Sequence, residues 1–445
     1  MNRIRAFLPA ALRTIGRRSL LKASAALSLA GLAPKVLAQA PKVPRGTLSA
    51  AAVADIQETM DGHVASGFLP GTVWAIEHDG ELHVGTAGTF ELGSGRPMAR
   101  DTIFRAASIT KPLTAAVAMM LVEEGKLTLD GPVDGLLPEL ADRRVLRALE
   151  SPLDDTVPAE RPITLRHLLT MTFGLGAVMV YPPVHPIQAA MREAGIEPGF
   201  MLPQLDADAY MAALGALPLA AQPGSRFFYN NGLDVAGILI ERAEGKRLGA
   251  VMAERLFGPL GMKDTGFVVP ADKLDRLPVQ YGPDFSAPRA IKPFPAAEWI
   301  DFGRTPPLES GASGLVTTVD DYLQFCRMML NGGTLDGRRH LSAASVAEMT
   351  RDQLMPAHKA DPLAAFFLSE GGGGWGLGMA VMTKKVQPWM TPGRFGWDGG
   401  YGTSAYTDPA RRTIGILLTQ RMMDSPAPPV TFTDFWSGVY RAIEG

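Results

Sequence analysis

Two β-hairpin signals stand near opposite ends of this 445-residue chain, and they constrain its fold more than anything between them. Near the N-terminus, Thr72-Val-Trp-Ala-Ile-Glu77 and Glu81-Leu-His-Val84 flank Asp79-Gly80, a dipeptide suited to a tight hairpin turn. Near the C-terminus, Thr403-Ser-Ala-Tyr-Thr407 and Thr413-Ile-Gly-Ile-Leu-Leu-Thr419 flank Asp408-Pro409, and an aromatic helix with Phe432, Phe435, Trp436 and Tyr440 closes the chain. Strands at both ends of a largely helical sequence predict an α+β fold: one antiparallel sheet built from both termini, flanked by helices, with a mostly helical region inserted. The sheet region is expected over about 48–105 and 370–445, the first of these opening on a helix around 48–66, and the helical region over about 106–369.

Proline-rich stretches near 151–162, 181–186 and 270–307 read as loops walling a cleft. Gly371-Gly-Gly-Gly-Trp-Gly376 matches G-x-G-x-x-G, but it leads into a strand instead of leaving one for a helix, and is expected to be a flexible turn. There is no internal repeat.

The first residues read as a targeting segment. Arg17-Arg-Ser-Leu-Leu-Lys22 precedes a weakly apolar run from Ala23 to Leu32 and the small residues of Val36-Leu-Ala-Gln-Ala40, a pattern that resembles a twin-arginine export signal. The apolar run is too short to span a bilayer permanently. Cleavage after Ala38 gives an export signal over 1–38, a hydrolase domain over 39–445, and a periplasmic or secreted bacterial protein. The segment holds seven of the 43 Lys and Arg residues and no acid, so 36 bases face 45 acids in the mature chain, a net charge of −9. Such a surface offers no footprint for nucleic acid or anionic lipid. A hydrophobic share of 46% and a charged share of 20% exclude a disordered tail and a multispanning membrane protein. The single cysteine, Cys326, lies at apolar helical spacing and is expected to be a core thiol; no intrachain disulfide is possible. None of the seven histidines forms an H-E-x-x-H or short-spaced helical pair, so no metal site is expected.

Chemistry concentrates at three places. Ser108-Ile-Thr-Lys111 opens the apolar run Leu113-Thr-Ala-Ala-Val-Ala-Met-Met-Leu-Val122, which reads as a buried helix. Ser and Lys at i and i+3 share a helical face, so a deprotonated lysine can withdraw the hydroxyl proton, and the helix N-terminus favours negative charge beside Ser108. Ser19-Leu-Leu-Lys22 has the same spacing inside the export signal and is a decoy. Tyr229-Asn-Asn231, the chain's one Tyr-x-Asn, precedes an apolar helix and reads as a loop tip facing a cleft; an ordinary capped helix start, with Asn231 as N-cap and Tyr229 packing, is the alternative, and the company of Ser108 and Lys111 favours the functional reading. Phe395-Gly-Trp-Asp-Gly-Gly400 enters the C-terminal hairpin, where Gly399 and Gly400 permit close backbone approach and the Gly400 N–H can pair with that of Ser108 as an oxyanion hole.

In order and separation these elements resemble the serine β-lactamase and penicillin-binding-protein superfamily, most nearly class C β-lactamases and family VIII carboxylesterases. The resemblance runs from about residue 50 to the end and includes Ile163-Thr-Leu-Arg-His-Leu-Leu-Thr-Met-Thr-Phe-Gly-Leu175 and Ser313-Gly-Leu-Val-Thr-Thr-Val-Asp-Asp-Tyr322. It implies Ser108 as nucleophile, Lys111 and Tyr229 as general base and acid, Asn231 as a polar partner of Lys111 or the substrate, and no cofactor. Which of Lys111 and Tyr229 takes the proton stays open, since both titrate near about 10 unperturbed. Where the lactamases resemble Lys-Thr-Gly, this chain has Trp397-Asp398-Gly399, which is more like the esterases. The lipase motif G-x-S-x-G is absent.

The resulting expectation is a carboxylesterase acting on a small-molecule ester through an acyl-serine. A β-lactamase or D-Ala-D-Ala carboxypeptidase, an acyltransferase on the same site, and an inactive binding or sensor protein are the alternatives; the oligomeric state is open. An Asp398 carboxylate about 6 Å from a substrate anion would repel it by about 3 kcal/mol at an effective dielectric of 20, so neutral esters are expected to be preferred.

Overall fold

In the computed structural model, residues 46–284, 286–287, 290–294, 301–362, 364–368 and 372–444 are described. The expected export signal over 1–38, with its Ser19 and Lys22, lies outside them.

The N-terminal hairpin forms as its sequence dictates. Strands β1 (Gly71–His78) and β2 (Glu81–Gly88) pair from Gly71 opposite Gly88 to His78 opposite Glu81. Asp79 and Gly80 take φ of 49° and 89°, the positive pair that a two-residue hairpin turn needs. From the other end of the chain come β3 (Gly373–Trp375), β4 (Ala380–Met382), β5 (Phe395–Gly399), β6 (Thr403–Asp408) and β7 (Thr413–Thr419). These seven strands make one antiparallel sheet in the order β3-β4-β5-β6-β7-β1-β2, so the first strand closes against the last, Thr72 opposite Thr419 and His78 opposite Thr413. Every residue of β1, β6 and β7 is buried, as expected of strands covered on both faces.

Helices α1 (Ala50–Ala65) and α5 (Val430–Glu444) pack side by side and cover one face of the sheet. Gly438 lets them approach, since a Cβ there would sit 2.5 Å from Ile56. Phe432, Phe435, Trp436 and Tyr440 are all buried, and Phe435 lies against Trp74 of β1 with ring centroids 6.3 Å apart. The opposite face carries α4 (Val319–Leu330), tied to β1 by Arg327 Nε donating to Glu77 at 2.7 Å. Cys326 lies in α4 as a buried thiol pushed up to about 12 by desolvation. Beyond α4 the inserted region centres on α2 (Thr110–Glu123) and α3 (Asn231–Glu244), which pack on each other; every residue from Thr110 to Leu121 is buried.

Three expectations need correction. The glycine run does not stop at a turn: Gly373–Trp375 is itself an edge strand, and Gly374 is glycine for packing, since a Cβ there would lie 2.3 Å from Asp352 Oδ1. The inserted region is less purely helical than expected, with two-stranded ladders such as Arg144–Leu146 with Thr156–Pro158 and Tyr281–Pro283 with Ile291–Pro293. Ladders this short carry no readable period. Finally, no described residue of the three proline-rich stretches lines the cleft described below; among the described residues its walls come from 177–179, 198–200, 387–390 and 423–428. Composition marks a loop but not the face it covers.

Candidate active site

The strand Phe104–Arg105 pairs with Val316–Thr317 and ends abruptly at Ala107, held at φ 49°. A non-glycine residue there costs about 1–3 kcal/mol of strain, tolerated where the surroundings fix it. The turn delivers Ser108 through one short 3₁₀ segment, Ala107–Ile109, into the start of α2. Lys111 follows in the first helical turn and has no solvent-exposed surface.

Lys111 Nζ makes three short contacts: Ser108 Oγ at 2.9 Å, Asn230 Oδ1 at 2.8 Å and the Ala312 carbonyl at 2.9 Å. Two partners are obligate acceptors in this role, so they take two N–H bonds. A neutral amine has two N–H groups and one lone pair, which leaves the lone pair for the Ser108 O–H. Burial favours that neutral form, drawing the Lys111 pKa down to about 7 against the pull of Asp234. Asp234, one turn into α3, accepts from Ser310 Oγ at 2.5 Å and from the Ala312 N–H at 3.2 Å, pinning the loop whose carbonyl faces Lys111. Its own carboxyl is raised by burial.

Tyr229 approaches from the other side. Its ring is stacked on Phe367 (centroids 4.2 Å apart, planes 15° from parallel) and stands edge-on to Trp375 at 6.2 Å. Lys111 Nζ lies 4.5 Å from the ring centroid. Trp397 Nε1 donates to the Tyr229 hydroxyl at 2.6 Å, and that hydroxyl also hydrogen-bonds the Ser108 side chain. Desolvation in this aromatic enclosure raises the phenol pKa well above its ordinary value, outweighing both hydrogen bonds. The two candidate bases therefore separate: burial prepares Lys111 to accept a proton and Tyr229 to keep one.

Strand β5 is laid hard against the Ser108 turn. A Cβ on Gly399 would sit 2.1 Å from Thr403 Oγ1 and 2.5 Å from the Ala106 carbonyl, which are themselves bonded at 2.8 Å. Only glycine fits, and the close approach brings Gly400 into the wall of the same cleft as Ser108. Trp397 and Asp398 both border the cleft: Trp397 turns its N–H to Tyr229, and Asp398 accepts from Ser404 Oγ at 2.6 Å and Tyr406 Oη at 3.3 Å. Burial raises the Asp398 carboxyl to about 6, while the nearby Arg394 guanidinium opposes the shift. The Asp398 carboxyl, expected to repel an anionic substrate, is hydrogen-bonded and has a cation beside it.

Asn231 also needs correction. It is buried, but its Nδ2 donates to the Ile196 carbonyl at 2.9 Å and the Tyr210 hydroxyl at 2.8 Å, away from Lys111. It is the first residue of α3, not the cap; that position belongs to Asn230, whose φ of 94° brings its own amide oxygen to Lys111. Asn230, Ala312, Asp234, Phe367 and Trp375 are the site residues that sequence reasoning missed. The cleft, bordered by Ser108, Tyr229, Asn230 and Phe367 among others, has a volume of about 550 Å³. Among the described residues, no group of His, Cys, Asp or Glu is arranged to hold a metal ion, and no helix is long and apolar enough to cross a membrane.

A seven-stranded antiparallel sheet closed by both termini, with a Ser-x-x-Lys helix opening under one of its strands, defines the class of serine β-lactamases and penicillin-binding proteins. The chain belongs to the Beta-lactamase family, whose model matches residues 56–432. It is 38% identical over 386 residues to Protein Rv1367c of Mycobacterium tuberculosis, covering 83% of this chain and 90% of that protein. To Esterase EstB of Burkholderia gladioli it is 30% identical over 406 residues, covering 86% and 94%. Among solved structures, EstCE1, described as a hydrolase with promiscuous acyltransferase activity, aligns with a TM-score of 0.72 at 25% identity, covering 88% of this chain and 99% of that one.

Proposed function

We propose that this protein is a serine carboxylesterase working through an acyl-enzyme on Ser108. The observation that carries the reading is the bonding at Lys111 Nζ, which lies 2.9 Å from Ser108 Oγ while donating to the carbonyl oxygens of Asn230 and Ala312, so that in the neutral amine the lone pair is left for the Ser108 O–H. In this mechanism Ser108 Oγ attacks the ester carbonyl carbon while its proton passes to Lys111. The carbonyl oxygen becomes an oxyanion facing the backbone N–H groups of Ser108 and Gly400. As the C–O bond to the alcohol breaks, the leaving oxygen takes the Tyr229 proton. The Trp397 N–H and the Lys111 ammonium stabilise the phenolate until Lys111 passes it the proton taken from Ser108, so the alcohol leaves with the Tyr229 proton and Tyr229 and Lys111 are restored to their starting forms. Water repeats the sequence in reverse roles to free the acid.

Trp397 favours ester over lactam chemistry. It occupies the position where the lactamase pattern carries a cation, and its N–H is committed to Tyr229. A second reading, acyl transfer to an alcohol, is supported by the activity named for EstCE1 and by the apolar enclosure of Phe367, Trp375 and Trp397 around Tyr229, which disfavours water. The test is a panel of p-nitrophenyl esters, a cephalosporin and a D-Ala-D-Ala peptide, with and without added alcohol, beside fluorophosphonate labelling of wild type and Ser108→Ala. Ester turnover and labelling that both vanish in folded Ser108→Ala support the reading. A cephalosporin cleaved as efficiently as the best ester overturns it, and product partitioning to the added alcohol moves it to acyl transfer.

We further propose export through the segment over 1–38, on the strength of Arg17-Arg18 and the small residues before Gln39. A mature N-terminus at Gln39, and translocation lost when Arg17 and Arg18 are both changed to Lys, are the expected results; undiminished export in that double variant contradicts the twin-arginine route.

A further inference from the structure

Arg394 precedes β5 by one residue and lines the same cleft as Ser108, yet it takes no part in the chemistry above. It is only 2% exposed. Its guanidinium sits in the corner of two perpendicular rings, 3.8 Å from the centroid of Tyr406 and 4.0 Å from that of Trp436. These cation–π contacts hold the group in place but satisfy none of its N–H donors. Nε and Nη2 are both buried without any hydrogen-bond partner. A buried charged donor left open in this way is costly, and a native site that keeps one calls for a ligand.

The open edge identifies the ligand. Nε and Nη2 form the side of the guanidinium that grips a carboxylate with two parallel bonds, and this protein uses that side repeatedly. Arg100 holds Asp320 by Nε at 2.8 Å and Nη2 at 2.7 Å, Arg166 holds Asp130 at 2.6 and 2.8 Å, and Arg192 holds Glu197 at 2.8 and 2.6 Å. Asp398 does not fill the role at Arg394, because its oxygens are engaged by Ser404 and Tyr406. Resting on the esterase reading of the same cleft, we propose that Arg394 is the anchor for a carboxylate carried by the substrate away from the scissile ester bond. The preferred substrates are then acid-bearing esters, in which the cleft wall at Arg394 binds the anion while Ser108 attacks the ester.

Two substrate pairs test this and show which half of the ester carries the acid. Mono-p-nitrophenyl adipate is compared with its methyl ester, and 6-butyryloxyhexanoate with its methyl ester. At least one acid is expected to exceed its neutral counterpart about tenfold to a hundredfold in kcat/KM, as two charge-assisted bonds allow. In Arg394→Gln that ratio falls at least tenfold; Arg394→Lys, which keeps the charge but loses the fork, retains part of it. A binding arm needs no turnover: calorimetric titration of folded Ser108→Ala with adipate is expected to show binding that the neutral adipamide lacks. Adipate binding with no ester cleaved supports the anchor and removes the esterase reading. Neutral esters cleaved, with neither acid preferred and adipate binding no better than adipamide, overturns the anchor and leaves the esterase standing. The wild-type comparisons decide the matter even if the Arg394 variants do not fold.

Discussion

Replacing Trp397 with Phe keeps an aromatic ring in β5 and removes one N–H, the donor 2.6 Å from the Tyr229 hydroxyl. In the ground state that bond joins two neutral groups and contributes about 1 kcal/mol; once Tyr229 has given up its proton, the same donor faces an anion and contributes about 1.5–3 kcal/mol. Only the difference, about 0.5–2 kcal/mol, acts on the barrier, which corresponds to about 2- to 30-fold in rate. The loss must depend on the leaving group. An alkoxide cannot depart without a proton, whereas p-nitrophenolate leaves readily as the anion, so the phenolate forms in the first case and is hardly needed in the second. We therefore expect Trp397→Phe to lower kcat/KM for ethyl butyrate about 2- to 30-fold and to leave that for p-nitrophenyl butyrate nearly unchanged. The ratio kcat/KM is the right measure because it covers acylation and excludes hydrolysis of the acyl-enzyme. Since Trp397 also packs edge-on against Trp375 at 4.7 Å, a melting curve must accompany the kinetics. Equal losses on both esters, or none on the ethyl ester, would refute Tyr229 as the acid that protonates the alcohol.

Three further outcomes follow from the same geometry. Because Lys111 must be neutral to accept the Ser108 proton and its pKa is drawn down to about 7, kcat/KM should rise about tenfold per pH unit below that point and level off above it; a flat profile through this range excludes Lys111 as the base. Asn230→Ala should cost at least tenfold in kcat/KM by freeing one N–H of Lys111, while Asn231→Ala should act chiefly on the melting temperature, since Asn231 bonds Ile196 and Tyr210; steady-state kinetics beside thermal melts separate the two, and the reverse assignment would reinstate Asn231 as the lysine's partner. Gly399→Ala should reduce both kcat and stability, by about 1–3 kcal/mol in the latter, because its Cβ meets the Ala106 carbonyl and Thr403; an active, undisturbed variant would show that β5 does not need this close approach.

The sequence makes some of this site legible because certain chemistry has a fixed spacing. Ser108 and Lys111 can be found from i, i+3 at the start of an apolar helix, and Tyr229 from its place before the next one. The error at Asn231 has a physical origin: two adjacent asparagines offer the same amide, and which one reaches Lys111 depends on a φ of 94° at Asn230 that no pattern encodes. Ala312 contributes a carbonyl, so its side chain gives no hint. Phe367 and Trp375 reach Tyr229 only after the sheet is assembled, and Arg394 reads in the sequence as one more surface charge. For the fold, Asp79-Gly80 announces its hairpin outright, whereas the pairing of β1 with β7 could be read only as strands at both ends needing one sheet.

That pairing bears on when the protein becomes an enzyme during synthesis. His78 and Thr413 are bonded across 335 positions of sequence, so β1 waits for its neighbour β7 until nearly the whole polypeptide has left the ribosome. Ser108 and Lys111 emerge early, but Trp397 and Gly400, which complete the site, arrive with the last tenth or so of the chain. Bringing such distant segments together carries the loop-closure entropy of a long chain and makes for slow assembly. Translation order thereby acts as a timer: the proposed nucleophile is made first and stays unarmed until the final strands lock against the first, and a chain cut short before β7 carries Ser108 without the sheet that completes its site.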